Sequence, residues 1–446
     1  MKIRSLIVAA FVLLALIGTL HWSEHRKPSE ETAQTSADTP PTILKLDGAA
    51  ITKLELKKKD AEPIILTKNS SAAWQIVQPK PLSADQAAVS GVISTLSSLN
   101  SERLVDDKAS DVKQYGLAQP AFEVDITEKD NKTERILVGD ETPAGNAVYA
   151  MLAGNPRIFT MASYHKTSID KSLNDLRDKR LLTVTAEKVS RLALISKNRD
   201  IEFGRNEDEW QILKPKPLRA DGTQVSELLG KLADARMDLS GSNKDLEDAA
   251  SAFARATPVA TARVTDQSGT QELQVRKSQV RKSKDTYYAK SSVVEGAYKI
   301  DSSLGQAVDK GLDDFRNKKL FDFGFNEPTK IEVHSGTQAY FLSKSGPDWW
   351  SNGKKMEAGS VQDFISKLRD LTADKFVESG FANPAIDITV TSDEGKRVEK
   401  VFIAKSGNSY IARRENEPSL YQLDSSSVDA LEKSADEIKP AAAPGK

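Results

Sequence analysis

Two groups of side chains in this sequence are suited to binding a partner. Trp349 and Trp350 are adjacent, and neighbouring residues of a strand face opposite ways, so one of them is expected to be exposed. Four cations share one run: Arg276, Lys277, Arg281 and Lys282. Such a run can meet anionic lipid or a cell-wall polymer. Its strand-like flanks favour a simpler interpretation, the charged and solvated tip of a hairpin. These six residues are the candidate partner-binding positions.

Other residues of a binding type have a structural explanation that we prefer. Trp74 and Trp210 could stack on sugars, but each stands at the same point of a repeated segment, just before a turn, which favours a core anchor. Residues 137–145 (LVGDETPAG) contain glycines yet lack the Lys-Ser/Thr of a phosphate-binding P-loop. A strand followed by a Gly-Asp turn explains them better.

Residues for catalysis or metal binding are sparse. The chain has no cysteine and 4 histidines, none paired at ligand spacing on a shared globular element. Carboxylate pairs such as Asp106-Asp107 and Asp313-Asp314 are adjacent in sequence, which does not direct them into one cleft. No GxSxG motif occurs. We therefore expect no catalytic residue, no metal and no cofactor.

Charge and length set the class of protein. The 63 basic and 64 acidic side chains nearly balance, which argues against a protein specialised for nucleic acid. At 446 residues the chain is long enough for about three domains.

An internal repeat organises the chain. Residues 74–85, WQIVQPKPLSAD, return as WQILKPKPLRAD at 210–221. Each is followed by apolar residues at helical spacing, and the same spacing begins again at Val361, so that stripes start at Val89, Val225 and Val361 with a period of 136. Asp85 and Asp221 precede the first two helices as caps, and Gly359-Ser360 is the expected cap of the third.

Later motifs extend the repeat. Tyr115-Gly-Leu-Ala-Gln-Pro120 matches Ser379-Gly-Phe-Ala-Asn-Pro384, with a weaker form at 253–258, and alternating apolar residues after each predict strands. Hairpins with isolated helices predict an α+β fold of three tandem homologous units, each a mainly antiparallel sheet with one main amphipathic helix. We place these units at 46–182, 183–321 and 322–440, with a disordered tail at 441–446.

The amino terminus predicts a membrane anchor. Residues 5–20 carry no charge and follow Lys2 and Arg4. A cleaved secretory signal has a similar pattern, but a small-x-small cleavage site is missing, so we favour an uncleaved transmembrane helix within residues 1–22. Residues 23–45 are polar and predict a flexible linker. The expected location is the cytoplasmic membrane, single-pass, with the bulk of the chain extracytoplasmic (periplasmic).

The order of these motifs resembles a known family. Trp-x-Ile-x-x-Pro, a helix, Tyr-Gly-Leu-x-x-Pro, Leu-Val-Gly-Asp-Glu-Thr, Tyr149 and Asp-Lys-Arg-Leu-Leu together are similar to bacterial domain-of-unknown-function family 4340. The first copy carries most of the pattern; the second lacks the Gly-Leu of its turn, and the third lacks the Pro-Lys-Pro turn and the basic close. The resemblance implies an extracytoplasmic accessory role beside ABC transporters of the kind linked with gliding motility, and it supplies no catalytic residues.

Three functional hypotheses follow from the sequence. The first is a membrane-anchored, non-enzymatic interaction protein that serves an ABC-type transport system and binds transporter subunits or other envelope proteins. The second is a module that binds cell-wall or surface polysaccharide. The third is a hydrolase of unfamiliar fold, which requires a cleft lined by two carboxylates or by a Ser/His pair.

Overall fold

A computed structural model of the chain describes residues 41–207, 209–241, 243–278 and 285–442. The predicted anchor at 1–22, most of the linker at 23–45 and most of the tail at 441–446 lie outside these residues. Among the helices that are described, none is long and apolar enough to cross a membrane. The chain divides into two compact units, Met1–Asp178 and Lys179–Lys446, and each is treated by itself below.

The first unit contains a nine-stranded antiparallel sheet, the first sheet, and a separate pair of strands, β1 with β6. The first sheet has the order β5-β4-β3-β2-β8-β9-β10-β11-β7. The strands are β1 (Thr42–Lys45), β2 (Ile51–Lys58), β3 (Ile64–Lys68), β4 (Trp74–Gln78), β5 (Leu82–Ser83), β6 (Ser98–Asn100), β7 (Arg103–Asp106), β8 (Phe122–Glu128), β9 (Thr133–Glu141), β10 (Ala147–Leu152) and β11 (Ile158–Ala162).

The second unit contains two further antiparallel sheets. The second sheet has eight strands, in the order β15-β14-β13-β12-β16-β17-β18-β19. Its strands are β12 (Arg191–Ser196), β13 (Arg199–Asn206), β14 (Glu209–Lys214), β15 (Leu218–Arg219), β16 (Thr257–Asp266), β17 (Gly269–Ser278), β18 (Thr286–Ser291) and β19 (Ala297–Ile300).

The third sheet has nine strands, in the order β23-β22-β21-β20-β25-β26-β27-β28-β24. Its strands are β20 (Lys330–Ser335), β21 (Gln338–Ser345), β22 (Asp348–Ser351), β23 (Lys354–Lys355), β24 (Lys375–Val377), β25 (Ile386–Ser392), β26 (Arg397–Ser406), β27 (Ser409–Arg414) and β28 (Leu420–Leu423). Eight strands of each sheet follow the same order, and the first and third sheets add a ninth beside the last of them.

Helices pack on each sheet. In the described residues they are α1 (Gln86–Ser97), α2 (Ser163–Ile169), α3 (Leu173–Leu176), α4 (Gly222–Ala233), α5 (Asn243–Arg255), α6 (Ser302–Asp309), α7 (Ala358–Asp370) and α8 (Ser425–Asp436). In the second sheet α4 and α6 lie on the core face, and α5 contacts Arg276 on the opposite face. The α+β class with mainly antiparallel sheets is confirmed. The prediction of one main helix for each sheet holds for the first sheet, where α1 is the single long helix, and is wrong for the other two, because the second sheet has the additional helix α5 and in the third α8 is nearly as long as α7.

The predicted helix caps are partly confirmed. Asp85 accepts hydrogen bonds from the amides of Ala87 and Ala88, and Asp221 accepts from Thr223 and Gln224. The third cap was predicted at Gly359-Ser360 and is instead Glu357, which accepts from the Ser360 amide at 3.2 Å. The prediction was wrong because α7 begins at Ala358, so that Gly359 and Ser360 already lie in its first turn.

The segment between the tryptophan strand and its helix takes two forms. In the first and second sheets it is the Pro-Lys-Pro turn, with cis peptide bonds at Gln78–Pro79 and Lys214–Pro215. In the third sheet it is a two-residue hairpin, in which Asn352 and Gly353 both have positive φ and join β22 to β23. An Asn-Gly pair suits such a hairpin because both residues tolerate a left-handed backbone.

Three buried cores correspond to the three sheets. Trp74 and Val89 belong to the first, Trp210 and Val225 to the second, and Trp349 and Val361 to the third. The two leucines of the Asp-Lys-Arg-Leu-Leu segment, Leu181 and Leu182, lie in the second core. Likewise Leu320 and Phe321 lie in the third core, so each closing segment contributes its apolar end to the following sheet.

Candidate interaction surface

The two adjacent tryptophans differ in burial, as their alternation in a strand predicts. Trp349 is 6% exposed and lies in the third core, in the same role as Trp74 and Trp210. Trp350 points to the opposite face of the sheet and is 36% exposed. It pairs with Ser343 of β21, two residues from Phe341, which is 42% exposed on the same face. Trp350 is therefore the member of the pair that a partner can reach.

Of the four candidate basic residues, the structure describes Arg276 and Lys277, and both contact other residues of this chain. The Arg276 guanidinium lies 4.6 Å from the centre of the Phe253 ring and donates hydrogen bonds to the carbonyls of Phe253 (3.3 Å) and Ala254 (3.2 Å). Lys277 forms an ion pair with Asp285 at 2.8 Å, which raises the pKa of its ammonium group. Arg281 and Lys282 lie outside the described residues.

The position of Arg276 in the second sheet is occupied by a glycine, Gly139, in the first sheet. By strand order and register, Gly139 of β9 corresponds to Arg276 of β17. The Tyr115-Gly116-Leu117 turn crosses over β9 there, and a Cβ placed on Gly139 would lie 2.1 Å from the Tyr115 carbonyl oxygen. The Tyr115 ring meets Tyr149 edge-on at 4.9 Å. Three motifs of the sequence thus meet at one packing contact, which accounts for the glycine of the 137–145 segment.

The second sheet replaces that turn with helix α5. Residues 253–258, predicted as a weak copy of the Gly-Leu turn, instead form the end of α5 and the start of β16. The last carbonyls of α5 carry partial negative charge and face the Arg276 guanidinium, a favourable placement of a cation at a helix carboxyl terminus. The amphipathic pattern of Asn243–Arg255 was the sequence feature that could have revealed this helix, which we missed.

Because α5 takes the place of an edge strand, β19 is left at the edge of the second sheet. In the first sheet β7 pairs with β11, and in the third sheet β24 pairs with β28. Among the described strands, β19 pairs with β18 alone. Its free side receives one backbone hydrogen bond, from the Asp238 amide to the Lys299 carbonyl at 2.9 Å. Asp374 of the third sheet makes the same bond to Gln422, and there the chain continues into β24.

Asp238 is fixed where the chain leaves the edge. Its carboxylate accepts hydrogen bonds from the Ser240 hydroxyl and amide, and it pairs with the Lys299 ammonium group at 3.0 Å. The hydrogen bond from the Ser240 hydroxyl, followed by that from Lys299, lowers the pKa of Asp238 to about 2. Asp238 is thus charged at neutral pH and holds the segment before α5 against β19.

A groove opens between α5 and the loop that joins β18 to β19. Its volume is about 630 Å³. Its walls combine small and apolar residues with two serines and two charged residues: Ala250, Phe253, Ala254, Val293, Val294, Gly296, Ala297, Ser291, Ser292, Lys290 and Glu295. Val293 is 42% exposed at its rim. The groove and the free edge of β19 adjoin at Ala297, and together they form the candidate interaction surface of the second sheet.

A cluster of half-buried charges lies where the second sheet meets the third. Arg219 of β15 lies against Asp322, donates to the Tyr421 hydroxyl at 3.0 Å and has its Nε 2.6 Å from Glu417. Burial lowers the pKa of this guanidinium, but the opposing charge of Asp322 and its neighbours outweighs burial and raises it. The equivalent residue of the first repeat is Ser83. Because its charges are mutually paired, this cluster serves as a structural joint.

The third sheet contains a small cavity with two carboxylates. It has a volume of about 180 Å³ and lies between the sheet and the helices α7 and α8. Glu432 accepts a hydrogen bond from Ser335 at 2.9 Å, and Asp436 accepts from Tyr340 at 2.5 Å. The bond to Asp436, aided by burial, raises the pKa of Tyr340 to about 12, so this phenol stays protonated at neutral pH. In the described part of the chain no cluster of three or more metal-binding side chains occurs.

A family model decides the classification. The model described as "Domain of unknown function (DUF4340)" matches residues 74–249 and 210–385, so the two matches together span more than half of the chain. The chain belongs to this family. The DUF4340 matches begin at Trp74 and Trp210, which confirms a tandem arrangement with the 136-residue period read from the sequence. No curated protein and no solved structure matches the chain.

Each DUF4340 match runs past the end of one sheet into the next. The first starts at the tryptophan strand β4 and ends within α5. The second starts in β14 and ends just before β25. Both therefore include the closing basic segment and the helix that follows the next tryptophan strand. No third match begins at Trp349.

Proposed function

We propose that this DUF4340 protein is a membrane-anchored, extracytoplasmic interaction protein without enzymatic activity, an accessory component of an ABC-type transport system. The anchor is the apolar segment within residues 1–22, which would hold the chain at the cytoplasmic membrane. The partner class rests on the family resemblance, and transporter subunits or other envelope proteins are the expected partners.

The arrangement we propose is three homologous units in tandem. The two family matches begin in the first two units, at Trp74 and Trp210, and the third sheet supports its own inclusion through the shared order of eight strands. Its tryptophan, Trp349, is buried at the position of Trp210, and its helix stripe keeps the 136-residue period. Such an array presents repeated scaffolds whose connections can diverge without loss of the core.

One observation carries the proposal that this array binds a protein. The second sheet keeps the common scaffold but replaces an edge strand with α5, which leaves an apolar groove beside a free strand edge. Monomeric proteins normally cover or blunt such edges. An exposed edge next to an apolar groove is the form of a protein-binding surface.

The test is co-purification of the full chain from crosslinked membranes, followed by identification of the captured proteins. Ala250 lines the groove and is exposed, so Ala250→Trp fills it; Ser251→Trp adds the same side chain at an exposed neighbour outside the lining. We expect transporter subunits with the parent chain and with S251W, and their loss with A250W. Reproducible absence of any transporter subunit from the parent sample contradicts the proposal.

The polysaccharide alternative is supported by one surface of the third sheet. Trp350 and Phe341 are exposed on the same face, and aromatic rings on a flat sheet face can stack on sugars. Pull-down of the full chain with isolated cell-wall polymer tests it. Binding that is lost in Trp350→Ser but kept in A250W favours this alternative over the protein partner.

The cavity with Glu432 and Asp436 keeps the hydrolase alternative open to test. Both carboxylates accept hydrogen bonds from neutral hydroxyls that tie α8 to the sheet, which suits a structural role. A hydrolytic activity that falls by orders of magnitude in Glu432→Gln or Asp436→Asn, with unchanged thermal unfolding, would favour catalysis there.

A further inference from the structure

The free edge of β19 differs from every other end of the same type in the described sheets. The corresponding strand of the first sheet, β11, is covered by β7, and that of the third, β28, is covered by β24. In the second sheet the chain makes the first backbone contact of this kind, at Asp238, and then turns away into α5. The edge-facing backbone of β19, at Ala297 and at the Lys299 amide, is thus left open to pairing with another strand.

We propose that β19 binds an extended segment of the protein partner, which adds to the second sheet as its ninth, antiparallel strand. This inference rests on the proposed function and names its binding mode. The partner segment would form backbone hydrogen bonds with the edge of β19, and its side chains would enter the groove.

The direction of the backbone groups supports strand addition. Because the Lys299 carbonyl accepts from Asp238, it faces away from β18, and in an antiparallel strand the amide of the same residue faces the same side. Ala297, two residues earlier, has the same orientation. A bound strand can therefore reach the amides of both residues, and Ala297 also lines the groove.

The sister sheets indicate the chemistry of the bound segment. Both covering strands begin with a cation, continue with a large apolar residue and then have valine: Arg103-Leu104-Val105 in β7 and Lys375-Phe376-Val377 in β24. The Phe376 ring packs 5.2 Å from the Tyr421 ring. By register, Tyr298 holds the position of Tyr421 in the second sheet. The expected partner segment thus has a basic residue followed by a large apolar residue and a β-branched one.

The experiment uses a peptide of known sequence as the probe. The octapeptide Thr-Ala-Asp-Lys-Phe-Val-Glu-Ser reproduces residues 372–379 around β24, and a scrambled version is the control. Binding to the full chain is measured by fluorescence anisotropy, and the site is located by hydrogen exchange. We expect slower exchange of the Ala297 and Lys299 amides with the probe peptide, and no change with the scrambled one.

A pair of variants tests the role of the backbone. Lys299→Pro removes the edge-facing amide and is tolerated at a free edge, whereas Lys299→Ala keeps the amide and removes the same ammonium group. We expect K299P to weaken peptide binding about tenfold and K299A less than about threefold, as the loss of one backbone hydrogen bond implies. Thermal unfolding of each variant checks folding, and the exchange data on the parent chain stand without them.

Several outcomes overturn the inference. Protection that appears at residues 420–423 shows displacement of β24 instead of addition to β19. Protection of β19 without peptide shows that the edge is already occupied, by a second copy if it rises with protein concentration and by this chain itself if it does not. Capture of transporter subunits that is blocked by A250W but insensitive to K299P overturns strand addition alone and leaves the proposed function standing.

Discussion

The first and second sheets share their strand order for eight strands, yet they finish the same connection in opposite ways. In the first, the chain after α1 forms the edge strand β7 and then a tight turn over Gly139. In the second, the chain after α4 forms α5, which ends on Arg276 at the position of that glycine. At this one position, glycine occurs with a covered edge and a packed turn. Arginine occurs with an open edge, a helix and a groove.

The scaffold varies in its connections and not in its cores. The cores keep equivalent residues at the tryptophan strands and helix stripes, because burial fixes them. The connection that follows the main helix and leads to β8, β16 or β25 is less constrained, since most of it lies at the sheet surface and edge. New binding surfaces are expected there.

The largest expected effect follows from adding one methyl group to the first sheet. Gly139→Ala places a Cβ 2.1 Å from the Tyr115 carbonyl oxygen, a backbone atom that must move. We expect a loss of about 3 kcal/mol in the free energy of unfolding of the first unit, measured by urea denaturation of the full chain. Gly91→Ala on the exposed face of α1 is the control, since nothing lies within 4 Å and the helix is expected to gain about 0.5 to 1 kcal/mol. Equal effects of the two substitutions would contradict the packing account.

A second prediction concerns the contact that holds the edge strand β24 to β28 in the third sheet. Phe376→Ala removes the ring that packs against Tyr421 and lies beneath the Arg316 guanidinium at 3.3 Å. We expect a loss of about 2 kcal/mol and faster hydrogen exchange in β28, because β24 no longer holds to it. Leu104→Ala in β7 removes a side chain that is 40% exposed and should cost less than about 1 kcal/mol. Unchanged exchange in β28 would show that Phe376 does not hold β24 in place.

A third prediction concerns the end of α5. Arg276→Met keeps the aliphatic chain but removes the hydrogen bonds to the Phe253 and Ala254 carbonyls, at an expected cost of about 1 kcal/mol. Hydrogen exchange should accelerate in α5 and stay unchanged in α4. Lys277→Met breaks an ion pair whose partner Asp285 is 43% exposed and should leave α5 unaffected. The same acceleration in both variants would mean that Arg276 does not clamp the helix.

The smallest effect is a pH dependence at Asp238. Its folded pKa is about 2, below the usual value of 3.8, so ionisation favours the folded state at neutral pH. This stabilisation is complete above about pH 4 and is lost as the pH falls from there through 2. Titration followed by the carboxyl chemical shift should give the low value, and Ser240→Ala should raise it by removing the hydroxyl donor. A value near 3.8 in the parent chain would contradict the described contacts.

Much of the scaffold could be predicted because its residues are repeated. The 136-residue period located the main helices and their two aspartate caps, and alternation within β22 correctly made one of Trp349 and Trp350 accessible. Where the repeat weakens, prediction failed. The 253–258 segment was forced into the turn of its sister copies, although its own periodicity is helical. The edge of β19 could not be predicted, because it depends on which strand is missing from a sheet.

We propose that the second sheet, through its groove and the free edge of β19, is where the protein binds its partner. Site-specific photocrosslinking in membranes tests this most directly, with the photoreactive residue at Val293 or at Asn416, an exposed position in the equivalent loop of the third sheet. The account predicts an adduct with a transporter subunit from position 293, none from position 416, and loss of the first adduct in K299P. An adduct from position 416 alone, or equal adducts from both positions, would contradict it.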